Sequence, residues 1–376
     1  MVVGEIERAS EVVVIGGGPA GYAAAFRAAD LGKEVVLIES AEALGGECLH
    51  HGCIPSKALL AATHVLEQIR EAQVMGIRVE HVSVDPAALQ TWKGGIVNQL
   101  AKGLQQLAER RGVEVLRGKA RFTGSRRLRI SEGAVGALTF EHAIVASGSR
   151  AVGLPGIESD GERVITSQEA LMLREIPERL LVIGGGYIGL ELGSVYARLG
   201  SRVSVVEMTD QLLPGVDRDL VQVVQRALEK RGVEIHLRTK VTTLRTENGH
   251  VRVSAARAQG EVSELEADRV LVAVGRQPNT DDLGLEQTRV KRDARGFIQV
   301  DLQRRTADTR IYAVGDVTGE PMLAHKAARE GKVAAEAIAG EPAAFDNVTV
   351  PAVVFTDPEI AFCGLSEEQA KAAGHA

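Results

Sequence analysis

Residues 11–39, EVVVIGGGPAGYAAAFRAADLGKEVVLIE, decide the fold. They open with a short apolar run rich in β-branched residues and pass through a glycine cluster into an alanine-rich stretch of helical character. They close on a second apolar run that ends at Glu39. The reading is strand, turn, helix, strand. Gly16, Gly18 and Gly21 fit G-x-G-x-x-G: the first permits a tight turn, the second lets a pyrophosphate approach the backbone, and the third lets helix and strand pack closely. The phosphate would sit on the helix N-terminus, where free N–H groups and the helix dipole favour an anion.

The same unit recurs at 180–207, LLVIGGGYIGLELGSVYARLGSRVSVVE, with Gly184, Gly186 and Gly189 as its glycines and Glu207 as its acid. From first glycine to acid the spacing is 23 residues in both copies. One such pattern arises by chance in a glycine-rich chain. Two complete units at one spacing leave packing turns without ligands as a poor alternative. A carboxylate at the end of the second strand accepts hydrogen bonds from ribose hydroxyls and repels a 2′-phosphate, and MTDQLLP after Glu207 holds no basic residue. The second site is therefore expected to prefer NAD to NADP, and Glu39 argues for an unphosphorylated adenosine at the first. Two dinucleotide sites suggest one resident and one exchanging cofactor. A further strand, DTRIYAVGD at 308–316, runs into Gly315 and Asp316 ahead of the helical stretch MLAHKAAREGKVAAEAIAG. Asp316 could bind ligand oxygens there or simply cap a helix.

Composition sets the frame around these units. The chain has 376 residues, enough for two or three domains, and 45% of them are hydrophobic, enough to fill their cores. Forty-one glycines against 3% aromatics suit an α/β chain with many strand-to-helix turns. A net charge of −6 without long like-charge runs points to no nucleic acid and no anionic membrane. No apolar stretch reaches the roughly 20 residues of a membrane span. MVVGEIERAS carries no basic, apolar and cleavage-site succession, so a cytoplasmic location is expected.

Residues 45–57, GGECLHHGCIPSK, place two of the three cysteines five positions apart with histidines between them. A structural bridge, a zinc site and a redox dithiol all fit that bare pattern. In a regular helix, residues five apart are separated by roughly 7.5 Å along the axis, beyond the ~7 Å that a disulfide spans between Cα atoms. A helix here must be broken or distorted, and Gly52 and Pro55 provide for that. Zinc is the weaker candidate, because His50 and His51 project in different directions and no C-x-x-C or H-x-x-x-H pair accompanies them. Lys57, four residues after Cys53, shares its helix face. Cys363, in the apolar VVFTDPEIAFCG, reads as buried packing.

Together with IVASGSR at 144–150, VGRQPN at 274–279 and YAVGDVTGEPMLAHKAAREG at 312–331, these segments resemble the flavin-dependent disulfide oxidoreductases that use pyridine nucleotides. The resemblance covers nearly the whole chain in order. It is greatest to members that oxidise dihydrolipoamide in bacterial 2-oxo acid dehydrogenase complexes, a likeness shared by 91–124. It implies an α/β chain of two Rossmann-like dinucleotide-binding domains, the NAD domain inserted in the FAD domain, plus the start of an α+β interface domain. The expected boundaries are 1–150 and 279–344 for FAD, 151–278 for NAD, and 345–376 for the incomplete interface domain.

The resemblance also implies site residues. FAD would meet Gly16, Gly18, Gly21, Glu39, Gly46, Lys57, Ala120, Ser147, Gly148, Asp316 and Ala324. NAD would meet Gly184, Gly186, Ile188, Gly189, Glu207, Val241 and Gly275. Cys48 would be the sulfur that exchanges with substrate and Cys53 the one facing the flavin. Lys57 would pair with Glu191, which on its own reads as a solvated helix-face acid. No metal is expected. The partners implied are a second copy, as a homodimer in the full-length form with weak dimerisation expected of this chain, and a lipoyl-bearing acyltransferase. The family's general base, a histidine paired with a glutamate, matches no position up to Ala376. The expectation is that the chain binds FAD but turns over dihydrolipoamide poorly. Mercuric and glutathione reductases are the rivals in the family, and glutathione reductase would want arginines after the second unit. A non-catalytic FAD-binding fragment is the rival outside it. Glu47, where relatives carry a small or hydroxylated residue, could raise the Cys48 thiol pKa or face water.

Overall fold

The computed structural model describes residues 7–247, 249–257, 260 and 262–375. Residues 1–6, on which part of the N-terminal reading falls, and Ala376 lie outside them. The chain forms two compact units. The first takes in the chain up to His50 with Val97–Arg150 and Gln277–Val348. Its sheet runs Glu114–Arg117, Val35–Glu39, Glu7–Ile15, Ala137–Val145, with Ile311–Ala313 also beside the last of these, all parallel. Arg127–Ser131 and Lys119–Gly124 extend it in antiparallel fashion. Val12, Val13 and Val14 are all fully buried, as a parallel sheet covered on both faces requires of its central strand. The alanine-rich helices Pro19–Asp30 and Ala324–Ile338 fit together on one face. A Cβ on Gly331 would stand 2.3 Å from the Ala20 carbonyl oxygen, so the approach depends on that glycine.

The second unit comprises His51–Ile96, Ala151–Arg276 and the chain from Thr349. A parallel sheet, in the order Glu234–His236, Arg202–Val206, Arg179–Ile183, Arg269–Val272, Val164–Ile165, is its centre. Strands Thr239–Glu247, His250–Arg257 and Val262–Ala267 form a separate antiparallel sheet. Helix Cys53–Ala72 drives Leu59 and Leu60 into the same core as Leu190, Leu192 and Val195 of helix Tyr187–Leu199. That packing groups residues 51–96 with this unit, whereas the sequence reading runs 1–150 as one piece. The hairpin of Ala352–Val354 and Ile360–Phe362 also belongs here. Between its strands, Asp357 accepts hydrogen bonds from Arg198 at 2.8 Å and Arg231 at 2.7 Å. Cys363, just past the second strand, is exposed rather than buried: Ile360 takes the core position and the apolar run does not carry burial beyond it.

The chain passes between the units at 50–51, 96–97, 150–151, 276–277 and 348–349, the third at the end of SGSR and the fourth within VGRQ. The architecture is α/β, with two Rossmann-like sheets in units whose segments alternate along the chain.

Candidate functional site

In the first unit the parallel strands end together: Ile15, Ile38, Val145 and Ala313 are neighbours in register. Gly16–Gly21, Glu39, Ser147, Gly148 and Asp316 follow those ends directly, the edge of an α/β sheet where ligands bind. Gly16 has φ +102°, and a Cβ there would lie 2.4 Å from the Ala146 carbonyl oxygen. A Cβ on Gly21 would lie 1.8 Å from the Gly16 oxygen. These two glycines are demanded by the fold itself. Gly18 is different: a Cβ there would meet only Gly46 Cα, at an ordinary 3.7 Å, so the protein leaves it room. It is the N-cap of helix Pro19–Asp30, with no side chain capping the N–H groups. An open cradle at an uncapped helix N-terminus suits a pyrophosphate.

Glu39 is engaged by its own turn. Its Oε2 accepts the Gly17 N–H at 2.6 Å and its Oε1 accepts the Ala41 N–H at 2.8 Å, tying the glycine turn to the end of the second strand. Asp316 is half-buried and accepts the Ser149 hydroxyl at 2.5 Å. The Ser147 hydroxyl donates to the Asn279 carbonyl at 2.7 Å. Gly148 has φ +73° and open space beside it, and Ala324 opens helix Ala324–Ile338. Gly46, at φ +58°, could not carry a side chain, since a Cβ would fall 2.6 Å from Gly18 Cα. The Ala120 side chain is in the core, which leaves only its backbone to meet a ligand.

The second unit repeats the plan. Cβ atoms on Gly184 and Gly189 would each stand 2.3 Å from a backbone carbonyl oxygen, of Ala273 and Gly184 respectively. On Gly186, the N-cap of helix Tyr187–Leu199, a Cβ would find nothing within 4 Å. Glu207 is buried, and it accepts the Gly185 N–H at 2.7 Å and the Thr209 N–H at 2.8 Å. Ile188 is partly buried in the main core, and Val241 sits at a β-bulge packed on the neighbouring cluster. Gly275 is exposed at φ +136°.

The cysteine segment is broken as its spacing requires. Cys48 lies, half-buried, in the short helix Gly46–His50, and the exposed Cys53 opens helix Cys53–Ala72. Gly52 makes the break at φ −141°, ψ −109°, and Pro55 falls in the first turn of the new helix, where a missing N–H costs nothing. The His50 ring donates from Nε2 to the Leu44 carbonyl at 3.0 Å. His51 lends charge to Glu169: burial pushes that carboxyl up, but the Thr166 hydroxyl and N–H outweigh it, and with His51 they hold it below the usual range.

One turn into the new helix, Lys57 Nζ donates to Glu191 Oε2 at 2.6 Å. Glu191 is 3% exposed, so it is no solvated helix-face acid. Its other oxygen accepts the Phe355 N–H at 3.1 Å, and the Phe355 ring lies 4.5 Å from the Lys57 ammonium. Phe355 thus grips both members of the pair. Sequence reasoning passed over it; its only local signal is an aromatic residue in an aromatic-poor chain, just before the hairpin turn.

Residues 10–331 match a family model described as pyridine nucleotide-disulphide oxidoreductase, and residues 350–376 match the dimerisation domain of that family, which supports a homodimer. Dihydrolipoyl dehydrogenase 2 of Haloarcula marismortui is 47% identical across the whole chain, which covers 80% of that protein. The dihydrolipoyl dehydrogenases of Haloferax volcanii and Geobacillus stearothermophilus are 46% and 45% identical, again across the whole chain and 79% of each relative. No helix among the described residues is long and apolar enough to cross a membrane.

Proposed function

Because this chain belongs to the pyridine nucleotide-disulphide oxidoreductase family, we propose that it oxidises protein-bound dihydrolipoamide to lipoamide and reduces NAD, using FAD and a redox dithiol of Cys48 and Cys53. The observation that carries this reading is the pair of cysteines flanking a helix break, with an ion-paired lysine one turn on, in a chain close to half identical to dihydrolipoyl dehydrogenases.

FAD would be held by Gly16, Gly18, Gly21, Glu39, Gly46, Ser147, Gly148, Asp316 and Ala324, with Ala120 contributing backbone and Lys57 its ammonium. NAD would be held by Gly184, Gly186, Ile188, Gly189, Glu207, Val241 and Gly275. Segments 1–150 and 279–344 are assigned to FAD, 151–278 to NAD and 345–376 to the interface domain. Bound FAD supplies two-electron transfer between a dithiol and a nicotinamide.

The chain's own residues do the sulfur chemistry. A substrate thiolate attacks Cys48 of the Cys48–Cys53 disulfide, forming a mixed disulfide and releasing Cys53 as thiolate. The second substrate sulfur then displaces Cys48 and closes the lipoamide ring. The Lys57 ammonium, held by Glu191 and Phe355, favours negative charge on Cys53. The substrate arm belongs to a lipoyl-bearing acyltransferase of a 2-oxo acid dehydrogenase complex, and the reaction is placed in the cytoplasm.

Anaerobic addition of dihydrolipoamide to the FAD-loaded protein tests this directly. A long-wavelength absorption band from thiolate beside flavin is expected, and Cys53→Ser should abolish it. FAD bound with no band, and no change on the substitution, would leave a binding module rather than an oxidoreductase.

A further inference from the structure

Glu330 is a charged side chain that the proposed chemistry does not use, and it is 0% exposed. A buried carboxylate is costly unless paired and fully hydrogen-bonded, and apolar residues of similar volume would often serve stability as well. Its partners therefore indicate what it is for. Oε2 accepts the Gly315 N–H at 2.7 Å, and the Thr318 hydroxyl lies 3.1 Å from the same oxygen. Oε1 faces Arg304 at 3.0 Å and Lys326 at 3.4 Å. Lys326, itself 6% exposed, donates to the Gly319 carbonyl at 2.8 Å. Glu330 and Lys326, one turn apart on helix Ala324–Ile338, thus hold both ends of the short 3-10 turn Gly315–Thr318. The N-cap residue of that turn is Val314, which has no polar side chain to receive its first N–H. Glu330 supplies that acceptor from a distant element.

The turn carries Asp316. Gly315 packs against the first turn of helix Pro19–Asp30, since a Cβ there would come 2.9 Å from Ala20 Cβ. Gly331, next to Glu330, seats on the Ala20 carbonyl in the same way. One stretch of helix Ala324–Ile338 therefore sets the turn bearing Asp316 and its approach to the glycine cradle, while the Ser149 hydroxyl donates to the carboxylate at 2.5 Å.

We propose that Glu330 is a positioning residue for the dinucleotide cradle of the first unit: it holds the Gly315–Thr318 turn so that the Asp316 carboxylate is presented to FAD. The proposal rests on the reading of Asp316 as an FAD-binding residue. The test measures FAD affinity by equilibrium dialysis, and NAD affinity by calorimetry, on the full chain and on Asp316→Ala, Glu330→Ala, Glu330→Gln and the double alanine variant. Asp316→Ala and Glu330→Ala should each weaken FAD binding about tenfold or more, the ratio expected of one hydrogen bond to a charged group. Glu330→Gln should recover part of the loss, because its amide oxygen can still accept the Gly315 N–H. The double variant should bind FAD about as weakly as Asp316→Ala alone, and NAD affinity should hold throughout.

Wild-type FAD affinity in Glu330→Ala beside a loss in Asp316→Ala would overturn the inference and leave the reading of Asp316 standing. Unchanged affinity in Asp316→Ala would remove that reading and the inference with it. Additive losses in the double variant, or a matching loss of NAD binding, would show that Glu330 acts through the fold at large and would also overturn it.

Discussion

Glu39 and Glu207 are engaged with their own glycine turns before any ribose arrives, each accepting the N–H of the middle glycine of its GGG triplet. The physical consequence is strongest at Glu207, which is buried and also holds the Thr209 N–H. Glu207→Ala should lower stability by about 2–4 kcal/mol, because two backbone donors lose their acceptor, and lower NAD affinity as well. Thermal unfolding beside an NAD titration checks this; lost affinity at unchanged stability would mean that the acid serves only the ligand. The glycines separate the same two duties. Gly189→Ala pushes a methyl into a backbone oxygen 2.3 Å away and should cost about 1–3 kcal/mol, whereas Gly186→Ala meets nothing and should leave the unfolding midpoint near wild type while weakening NAD at least severalfold. All three glycines were legible from spacing alone. The division of duties, first and third for the fold and second for a ligand, was legible too, because the pattern itself carries it; how little room each Cα has was not, since that depends on what stands beside it.

At the scale of the element, the broken helix was legible from local signals, the Lys57–Glu191 pair only through the family resemblance, and the part of Phe355 not at all. Five residues between cysteines, a glycine and a proline are local signals, and they place the break at Gly52, where it is found. The Lys57–Glu191 pair spans 134 positions, and Phe355 lies a further 164 beyond Glu191, so no local pattern joins them. What brings the lysine and the glutamate together is the packing of helix Cys53–Ala72 on helix Tyr187–Leu199 through Leu59, Leu60 and Leu190. Phe355→Leu keeps the backbone N–H on Glu191 but removes the ring from the ammonium, a contact worth about 0.5–1 kcal/mol where exposed and more where desolvated. The midpoint pH at which the long-wavelength thiolate band appears should rise slightly in Phe355→Leu and by more in Lys57→Met. Lys57→Met removes the positive charge that favours the Cys53 thiolate and Phe355→Leu loosens what holds that charge, so in each the thiol keeps its proton to higher pH. An unchanged midpoint in Lys57→Met would deny the lysine any electrostatic part.

Across the whole molecule, the two matching glycine units carried the fold, because each is a complete local unit whose strands, turn and helix are written within about thirty residues. The grouping of residues 51–96 with the second unit was not legible, since it arises from leucines meeting across the chain. The glycine cradles have a testable consequence at this scale. The strand ends, glycine turn, acid and helix N-terminus of each cradle come from a single unit: Gly16–Gly21, Glu39, Gly46 and Asp316 from the first, and Gly184–Gly189 and Glu207 from the second. The two dinucleotides should therefore be separable by single substitutions. Gly18→Val fills the space a pyrophosphate needs while meeting little of the protein, so FAD should be lost and calorimetric NAD affinity should stay within about twofold of the wild-type apoprotein. Gly186→Val should do the reverse, leaving the flavin spectrum intact and abolishing NAD binding. Joint loss of both cofactors from either substitution would mean that the cradles are not independent, and that each unit's sheet edge is insufficient to bind its dinucleotide.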